Sequence, residues 1–153
     1  LKELPERTPL KLQEANLMEI TSHVVASLSG SDIKLYGRDV LAVVDSIELE
    51  KVIENLLINA LDATEKHGEV SVEVGSSVLA FIRVTDNGCG MTPEFIREKL
   101  FTPFKTTKNK GLGIGLYQSR QIVEAHQGRI EVVSTPEVGS VFTVWLPLTG
   151  PFY

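Results

Sequence analysis

The sequence has a single cysteine, no long apolar run and no excess of basic residues. Cys89 is the one cysteine among 153 residues, which excludes an internal disulfide and suits a reducing compartment. No stretch approaches the ~18 apolar residues that a membrane-spanning helix needs, and we expect no secretory leader. The formal net charge of −5 argues against a nucleic-acid surface but permits a local basic site. These absences favour a cytoplasmic location.

The composition is that of a folded domain. The chain is 42% hydrophobic and 23% charged, which is typical of a globular protein rather than a disordered one. Its length suits one domain with a sizeable core. Residues 1–12 carry Pro5 and Pro9 among charges and are predicted to be a linker or the tail of a preceding element. We expect the domain to occupy residues 13–150 and the chain to be a fragment of a longer protein.

Apolar periodicity predicts the secondary structure. Helical spacing predicts helices at 13–28, from Ser46 to a stop at Gly68, at 92–99, and from the glycine-rich stretch to Gly128. Asp45 is placed as an N-cap with Glu48 completing a capping box. Strands are predicted at 33–36, 40–44, 70–74, 79–85, 129–134 and 141–146. The 79–85 strand is nearly all apolar, which indicates a central position in the sheet, and the last two strands should form a hairpin.

Three glycines alternate at Gly111, Gly113 and Gly115, where a helix is predicted to begin. Glycines at a helix start let a ligand approach the backbone, and free N–H groups there suit a phosphate. An ordinary turn is the alternative. The preceding segment 105–108 contains two lysines and two threonines, which suits a lid that closes over phosphates, although a solvated basic loop has the same composition.

Asn55 and Asn59 lie one helical turn apart on the predicted helix after Asp45. They could simply hydrogen-bond a neighbouring element. Alternatively, an amide oxygen suits Mg²⁺, which takes hard oxygen ligands and is usually shared with substrate phosphates. The sequence alone leaves both interpretations open.

Asp86, Gly88 and Gly90 follow the predicted central strand. An Asp-Asn-Gly segment is an ordinary tight turn. A carboxylate at this place could also accept a hydrogen bond from the adenine amino group, whereas guanine carries an acceptor oxygen at the equivalent position. The glycines would then let the flat base lie against the backbone.

Taken together, these segments resemble the motifs of the histidine-kinase and gyrase-like ATPase superfamily. The resemblance covers residues 13–148, and its last segments are most similar to bacterial sensor kinases of the nitrogen-regulator type. The matching segments are the N box Glu54–Ala60, the G1 box Asp86–Gly90, the F box Leu100–Phe104, the G2 box Gly111–Leu116 and the closing G3 strand Gly139–Pro147.

The resemblance implies a two-layer α/β sandwich of the Bergerat type, with a mixed, mostly antiparallel sheet covered by helices on one face. It implies that ATP and Mg²⁺ are the cofactors, with Asn59 as the metal ligand and Asn55, Asn59 and Lys108 as catalytic residues. Phe101 and Phe104 would pack the lid against the domain. The implied nucleotide-binding residues are Asn55, Asn59, Asp86, Gly88, Gly90, Phe101, Phe104, Lys105, Thr106, Thr107, Lys108, Gly111, Leu112, Gly113, Gly115 and Leu116.

The sequence departs from related patterns at two positions. Gyrase-like ATPases carry a water-activating glutamate where this chain has Asn55, and a neutral amide cannot act as a general base. Glu54 is adjacent but about 100° around the helix. Many sensor kinases carry a basic residue where this chain has Asp62, which puts a phosphate contact there in doubt. We therefore expect slow hydrolysis and transfer to an acceptor supplied from elsewhere.

No histidine of the chain has the context of a phosphoacceptor. His23 is expected to be an ordinary helix residue, and His126 to sit at a helix end, where a cation would interact favourably with the dipole. The resemblance therefore implies that the acceptor lies on a separate dimerisation domain, and that the phosphoryl group passes on to a response regulator. The full-length protein would be a homodimer, the isolated domain a monomer, and the chain part of a cytoplasmic protein or of a membrane-bound sensor.

Two alternatives belong to other functional classes. One is an ATP-driven conformational clamp of the gyrase, mismatch-repair or chaperone type. The other is a serine kinase of the anti-sigma-factor type. Cys89 could be a redox switch, but a small residue tolerated in a turn is the simpler interpretation, since no second cysteine could resolve it.

Overall fold

The computed structural model describes residues 9–28, 30–64, 68–103 and 112–148. Helices cover one face of a five-stranded sheet, and a two-stranded sheet lies beside them. The strands are β1 (Gln13–Asn16), β2 (Ile33–Gly37), β3 (Leu41–Val44), β4 (Val70–Ser76), β5 (Ala80–Asp86), β6 (Arg129–Thr135) and β7 (Gly139–Leu146). The helices are α1 (Leu17–Ser27), α2 (Ser46–Ala63), α3 (Pro93–Phe95) and α4 (Leu112–Ala125), with a π-helical segment at Ile96–Leu100.

The main sheet has the order β2-β4-β5-β7-β6, with one parallel pair, β2 with β4, and three antiparallel pairs. β5 is the central strand, as its apolar sequence predicts. Alternate residues of β4, β5 and β7 point into a single core, where Val72, Ile82 and Val144 are fully buried against the helices. The predicted mixed, mostly antiparallel two-layer sandwich is therefore confirmed, and so is the β6–β7 hairpin.

The predicted first helix is wrong at its start. Gln13–Asn16 forms a strand that pairs antiparallel with β3, and the helix begins only at Leu17. The Asn16 side chain caps that helix by accepting from the backbone N–H groups of Met18 and Glu19. Cross-strand pairing with β3 is a tertiary contact, so helical periodicity alone could not reveal it.

Helix α2 carries the broadest apolar face of the chain and anchors the core. Leu49, Val52, Ile53, Leu56 and Leu57 are fully buried. The helix ends at Ala63, before the predicted stop at Gly68, and Thr64 follows it in an extended conformation.

Only half of the predicted capping box at the start of α2 forms. The Asp45 side chain accepts from the Glu48 N–H at 3.1 Å. The Glu48 carboxylate pairs with Lys51 instead of returning to Asp45. The Asp45 N–H donates instead to Nε2 of His126, at the far end of α4.

The end of α4 has the hydrogen bonds of a Schellman motif. The N–H groups of Gln127 and Gly128 donate to the carbonyls of Glu124 and Val123. The helix itself ends at Ala125, short of the predicted stop at Gly128. Gln127 holds the left-handed position with φ of 68°, a conformation that favours glycine.

Replacing Gln127 with glycine is expected to stabilise the domain. A residue with a Cβ loses ~1–2 kcal/mol of stability in the left-handed conformation, and glycine avoids this loss. Glycine also loses more backbone entropy on folding, which offsets ~0.5–1 kcal/mol of the gain. A net gain of about 0.5–1 kcal/mol should appear as a raised denaturant midpoint with an unchanged slope. The matched control is Gln118→Gly, within the exposed part of α4, which should lower stability. Destabilisation by Gln127→Gly would contradict the assigned backbone conformation.

Thr21 is a second site at which stability can be raised. Its side chain is fully buried on α1, and its hydroxyl has no hydrogen-bond partner in the described part of the chain. Since an unsatisfied buried hydroxyl costs about 1–3 kcal/mol, Thr21→Val, which keeps the shape, should raise the free energy of unfolding by about 1 kcal/mol. Chemical denaturation measures this, with Thr21→Ser, which keeps the hydroxyl and leaves a cavity, as the destabilising control.

Candidate active site

The candidate site lies where α2, α4 and the end of β5 meet. Helices α2 and α4 pack side by side over the sheet, and α2 also contacts β5. The polar residues of α2 differ in their exposure. Lys51 and Asp62 are exposed, whereas Asn55 and Asn59 are partly buried beside α4 and the end of the sheet.

Asn55 is hydrogen-bonded to α4. Its Nδ2 donates to the backbone oxygen of Gly115 and to Oγ of Ser119, both at 3.3 Å. A Cβ on Gly115 would lie 3.2 Å from Cγ and Oδ1 of Asn55, so glycine lets the amide rest against the helix. Asn55 therefore does hydrogen-bond a neighbouring element, as one of the two interpretations predicted. Both bonds use the amide nitrogen, so the amide oxygen can still accept from a ligand.

Asn59, unlike Asn55, has a side-chain oxygen, Oδ1, that is buried without a hydrogen-bond partner among the described residues. Since buried polar atoms are nearly always paired in native proteins, an unpaired amide oxygen is a place where an absent ligand is expected. The donor type is correct for Mg²⁺, which selects hard oxygen atoms.

Asp86 ends the central strand with its side chain 5% exposed. Burial raises the pKa of its carboxyl, and N–H donation from Gly88 and Ser140 offsets part of that effect. The Oδ1–N distance to Gly88 is 2.8 Å, so the ordinary tight turn is also present. A carboxylate has about four acceptor positions, and these two bonds leave acceptor capacity for a ligand.

Gly88 and Gly90 are required by contacts within the chain. A Cβ on Gly88 would lie 2.3 Å from the Ala63 carbonyl oxygen. A Cβ on Gly90 would lie 2.0 Å from the Thr135 carbonyl oxygen, and Gly90 has a positive φ of 70°. These glycines therefore fix the loop after Asp86 against α2 and against the β6–β7 turn, whether or not a base also contacts them.

The β6–β7 turn supports this loop, and sequence reasoning missed its polar residues. Ser134 accepts from the Met91 N–H at 2.8 Å and shares a hydrogen bond with Ser140 at 2.7 Å. Glu137 N–H donates to the Cys89 carbonyl. Serines in a hairpin are too common to signal a site, and only the register that pairs Asp86 with Ser140 brings them there.

Only some of the residues that were predicted to bind nucleotide in the F and G2 boxes lie in the described part of the chain. Phe101 packs against the core, with the Arg120 guanidinium 5.3 Å from its ring centre. Leu116 is also in the core, at 3% exposed, so its side chain fills the interior rather than lining an open cleft. Leu112 and Gly113 lie in the first turn of α4. Predictions for Phe104, Lys105, Thr106, Thr107, Lys108 and Gly111 lie outside the described residues.

His126 lies at the end of α4, as predicted, but it does not face solvent. The ring is buried, Nδ1 lies 2.8 Å from the Ile122 carbonyl oxygen, and Nε2 accepts from the Asp45 N–H at 3.0 Å. A carbonyl can only accept, so the hydrogen is on Nδ1 and the imidazole is neutral. His23 is an exposed residue of α1 beside Glu50, as predicted. Cys89 is exposed.

Asp45, whose N–H donates to His126, also contacts the segment that precedes β1. Its carboxylate accepts from the Lys11 N–H at 2.8 Å. Burial alone would raise the pKa of the Asp45 carboxyl. N–H donation from Lys11 and Glu48 outweighs this effect and holds that pKa below its usual value. Neutral His126 and ionised Asp45 thus connect α4, α2 and the entering chain.

Comparison with known proteins identifies the family. Residues 44–150 match the model of the histidine kinase-, DNA gyrase B- and HSP90-like ATPases. The chain is 36% identical to the sensor histidine kinase ZraS of Salmonella typhimurium, over 97% of this chain and 34% of that protein. It is 41% identical to the signal transduction histidine-protein kinase AtoS of Escherichia coli, over 65% of this chain and 17% of that protein. The chain thus spans about a third of ZraS.

Solved structures show the same fold. The catalytic domain of histidine kinase ThkA superposes with a TM-score of 0.81 at 27% identity, covering 91% of this chain and 97% of that one. Within the described residues, no helix combines the length and apolarity that crossing a membrane requires. The family match, the site and the fold agree, and the chain belongs to the histidine kinase-, DNA gyrase B- and HSP90-like ATPase family.

Proposed function

We propose that this chain is the catalytic ATP-binding domain of a sensor histidine kinase. It would bind Mg·ATP and present the γ-phosphate to a histidine on a separate dimerisation domain. The observation that carries the proposal is the pair of acceptors at the site: a buried carboxylate at Asp86, and a buried amide oxygen at Asn59 that has no partner among the described residues. ZraS and AtoS, the two relatives described above, are both named as histidine kinases.

Asp86 is suited to recognise adenine. Its carboxylate is a buried acceptor with unused capacity, and the adenine amino group is a donor. Guanine would present an oxygen to the same carboxylate, so it should bind much more weakly. The bonds from Gly88 and Ser140 hold the carboxylate in place before the nucleotide arrives.

Asn59 is suited to hold Mg²⁺. A neutral amide oxygen contributes a ligand without adding negative charge beside a triphosphate. Bound Mg²⁺ would neutralise charge on the phosphate oxygens. The chain's own contribution would then be positioning: α2 would hold Asn59, the loop after β5 would hold the base, and α4, which begins at Leu112, packs against α2.

The same residues favour transfer over hydrolysis. Asn55 occupies the position of a general base, and its amide nitrogen is committed to α4. Glu54, the adjacent carboxylate, is exposed and lies on another side of α2. The described part of the site therefore offers no base to activate water, and the attacking group would be the acceptor imidazole.

The proposed partners follow from this role. They are the dimerisation domain that carries the acceptor histidine and the response regulator that receives the phosphoryl group. The full-length protein would be a homodimer, because acceptor helices of this kind pair. We retain residues 13–150 as the catalytic domain, residues 1–12 as the preceding linker, and a cytoplasmic location as parts of this proposal.

Phosphorylation of the full-length gene product with γ-labelled ATP tests the proposal. We expect label on the protein that is lost in acid and kept in base, as a phosphohistidine requires, together with slow release of inorganic phosphate. Acid-stable label on an added protein would favour the serine-kinase alternative. Rapid phosphate release with ATP-dependent association of two copies, and no label on protein, would favour the conformational clamp.

A further inference from the structure

The contact between Asn55 and α4 fixes the orientation of the Asn55 amide. Nδ2 carries two hydrogens, and two acceptors lie at 3.3 Å: the Gly115 carbonyl oxygen and the Ser119 hydroxyl. The Gly115 carbonyl can only accept, so it turns the nitrogen end toward α4, and the Ser119 hydroxyl on the same helix accepts the second hydrogen bond. Among the described residues, none donates to Oδ1 of Asn55. The oxygen end is therefore the one left for a ligand.

Ser119 is an unusual residue for its place. It is fully buried, while Leu116, Ile122 and Val123 around it on α4 are core residues. A buried hydroxyl costs free energy unless it is hydrogen-bonded, and Asn55 is the side chain that donates to it. An apolar residue would fit the helix face equally well, so the hydroxyl requires an explanation beyond packing.

The orientation of this amide has an electrostatic consequence. An amide oxygen attracts a cation, whereas an amide nitrogen repels it. Asn59 lies one turn further along α2, and no residue in the described part of the chain donates to its Oδ1 either. With Asn55 held by its nitrogen, two successive turns of α2 offer amide oxygens to a bound Mg²⁺ and nucleotide. Turning the Asn55 amide over would replace one of these oxygens with a donor.

We propose that Ser119 is a positioning residue, whose hydroxyl holds the Asn55 amide with its oxygen free for the magnesium–nucleotide complex. This inference rests on the proposed function for its catalytic consequence, but the hydrogen bond and the amide orientation do not. Gly115 contributes the second acceptor and the space for the amide. In this proposal Ser119 itself would contact neither nucleotide nor metal, and it would act only through Asn55.

A pair of variants isolates the hydroxyl. Ser119→Thr keeps it and Ser119→Val removes it, while both add a branched side chain of the same shape. The two variants should therefore share any strain from the added methyl group. Ser119→Ala compared with the wild type repeats the test without added volume, in case both larger side chains prevent folding.

The first measurement needs no nucleotide. Asn55 side-chain amide resonances of the ligand-free protein report the hydrogen bonds of Nδ2. We expect Ser119→Thr to keep the wild-type positions and Ser119→Val to shift them, with the two melting temperatures alike. Identical Asn55 amide signals in the Thr and Val variants would overturn the proposed hydrogen bond.

The second measurement is single-turnover phosphorylation of the full-length protein. We expect Ser119→Val to be about tenfold slower than Ser119→Thr, as loss of one hydrogen bond of about 1.4 kcal/mol predicts, with KM for ATP within about twofold. Equal rates in the two variants would overturn the positioning role. A wild-type protein that neither binds nor uses ATP would instead refute the proposed function, and the amide resonances would still test the Asn55–Ser119 contact.

Discussion

Replacing Asp86 with asparagine is expected to weaken ATP and ADP binding about 100-fold, a loss of ~2.7 kcal/mol. The variant exchanges a charged acceptor for a group that can present N–H to the adenine amino group, so donor meets donor. Loss of a hydrogen bond to a charged, buried group has this magnitude. Isothermal calorimetry with purified domain measures it directly.

The same substitution should leave the fold in place. Burial raises the pKa of Asp86, so the ionised carboxylate costs stability at neutral pH, and that cost disappears as the pH falls through the folded-state pKa. Asparagine carries no such cost but forms weaker bonds with Gly88 and Ser140. We expect a melting temperature within about 3 °C of wild type at pH 7. Relative to the asparagine variant, wild type should gain stability on acidification.

Asp32→Asn is the matched control, because Asp32 is exposed on the turn before β2. It should change neither nucleotide affinity nor melting temperature. If Asp86→Asn bound ATP as tightly as wild type, Asp86 would be only a turn residue, and the assignment of the adenine site would be lost.

Asn59→Ala is expected to remove the Mg²⁺-dependent part of ATP affinity and to slow phosphorylation by about 100-fold or more. The fold should not suffer. The Asn59 oxygen makes no hydrogen bond within the described chain, and alanine is the better helix former. We therefore expect an unchanged or slightly raised melting temperature. Titrating Mg²⁺ at fixed ATP separates metal binding from nucleotide binding.

Glu54→Ala, on the same helix but exposed, is the control for Asn59. It should retain both Mg²⁺ dependence and phosphotransfer, and it also tests whether Glu54 acts as a base. Equal Mg²⁺ dependence in Asn59→Ala and wild type would show that the metal ligand lies elsewhere. A large loss in Glu54→Ala would return the clamp-type hydrolytic mechanism to consideration.

Local patterns in the sequence were sufficient for much of the fold. The apolar stripe of α2, the apolar run of β5 and the alternation in β4 are local patterns, and each predicts the right type of element, although α2 ends at Ala63, before its predicted stop. Spacing also brought Asn55 and Asn59 to one side of α2. The family resemblance supplied the arrangement of these pieces, which periodicity alone does not determine.

The failures come from contacts between distant residues. Gln13–Asn16 has helical periodicity but pairs with β3. His126 lies at the predicted helix end, but no local pattern indicates its burial or its hydrogen bond with the Asp45 N–H, 81 positions away. Gly88 and Gly90 lie against the carbonyl groups of Ala63 and Thr135, contacts that the local sequence does not show, while their predicted contact with a base stays a prediction. Such contacts arise only once the sheet register is set, so no local signal could reveal them.

Calorimetric titration of the isolated domain with ATP and GTP, each with Mg²⁺, tests the central claim most directly. The domain contains both Asp86 and Asn59, and it needs no acceptor for this measurement. Our account predicts saturable ATP binding that weakens when Mg²⁺ is removed, and GTP binding at least about 100-fold weaker. Equal affinity for ATP and GTP, or ATP affinity independent of Mg²⁺, would contradict it.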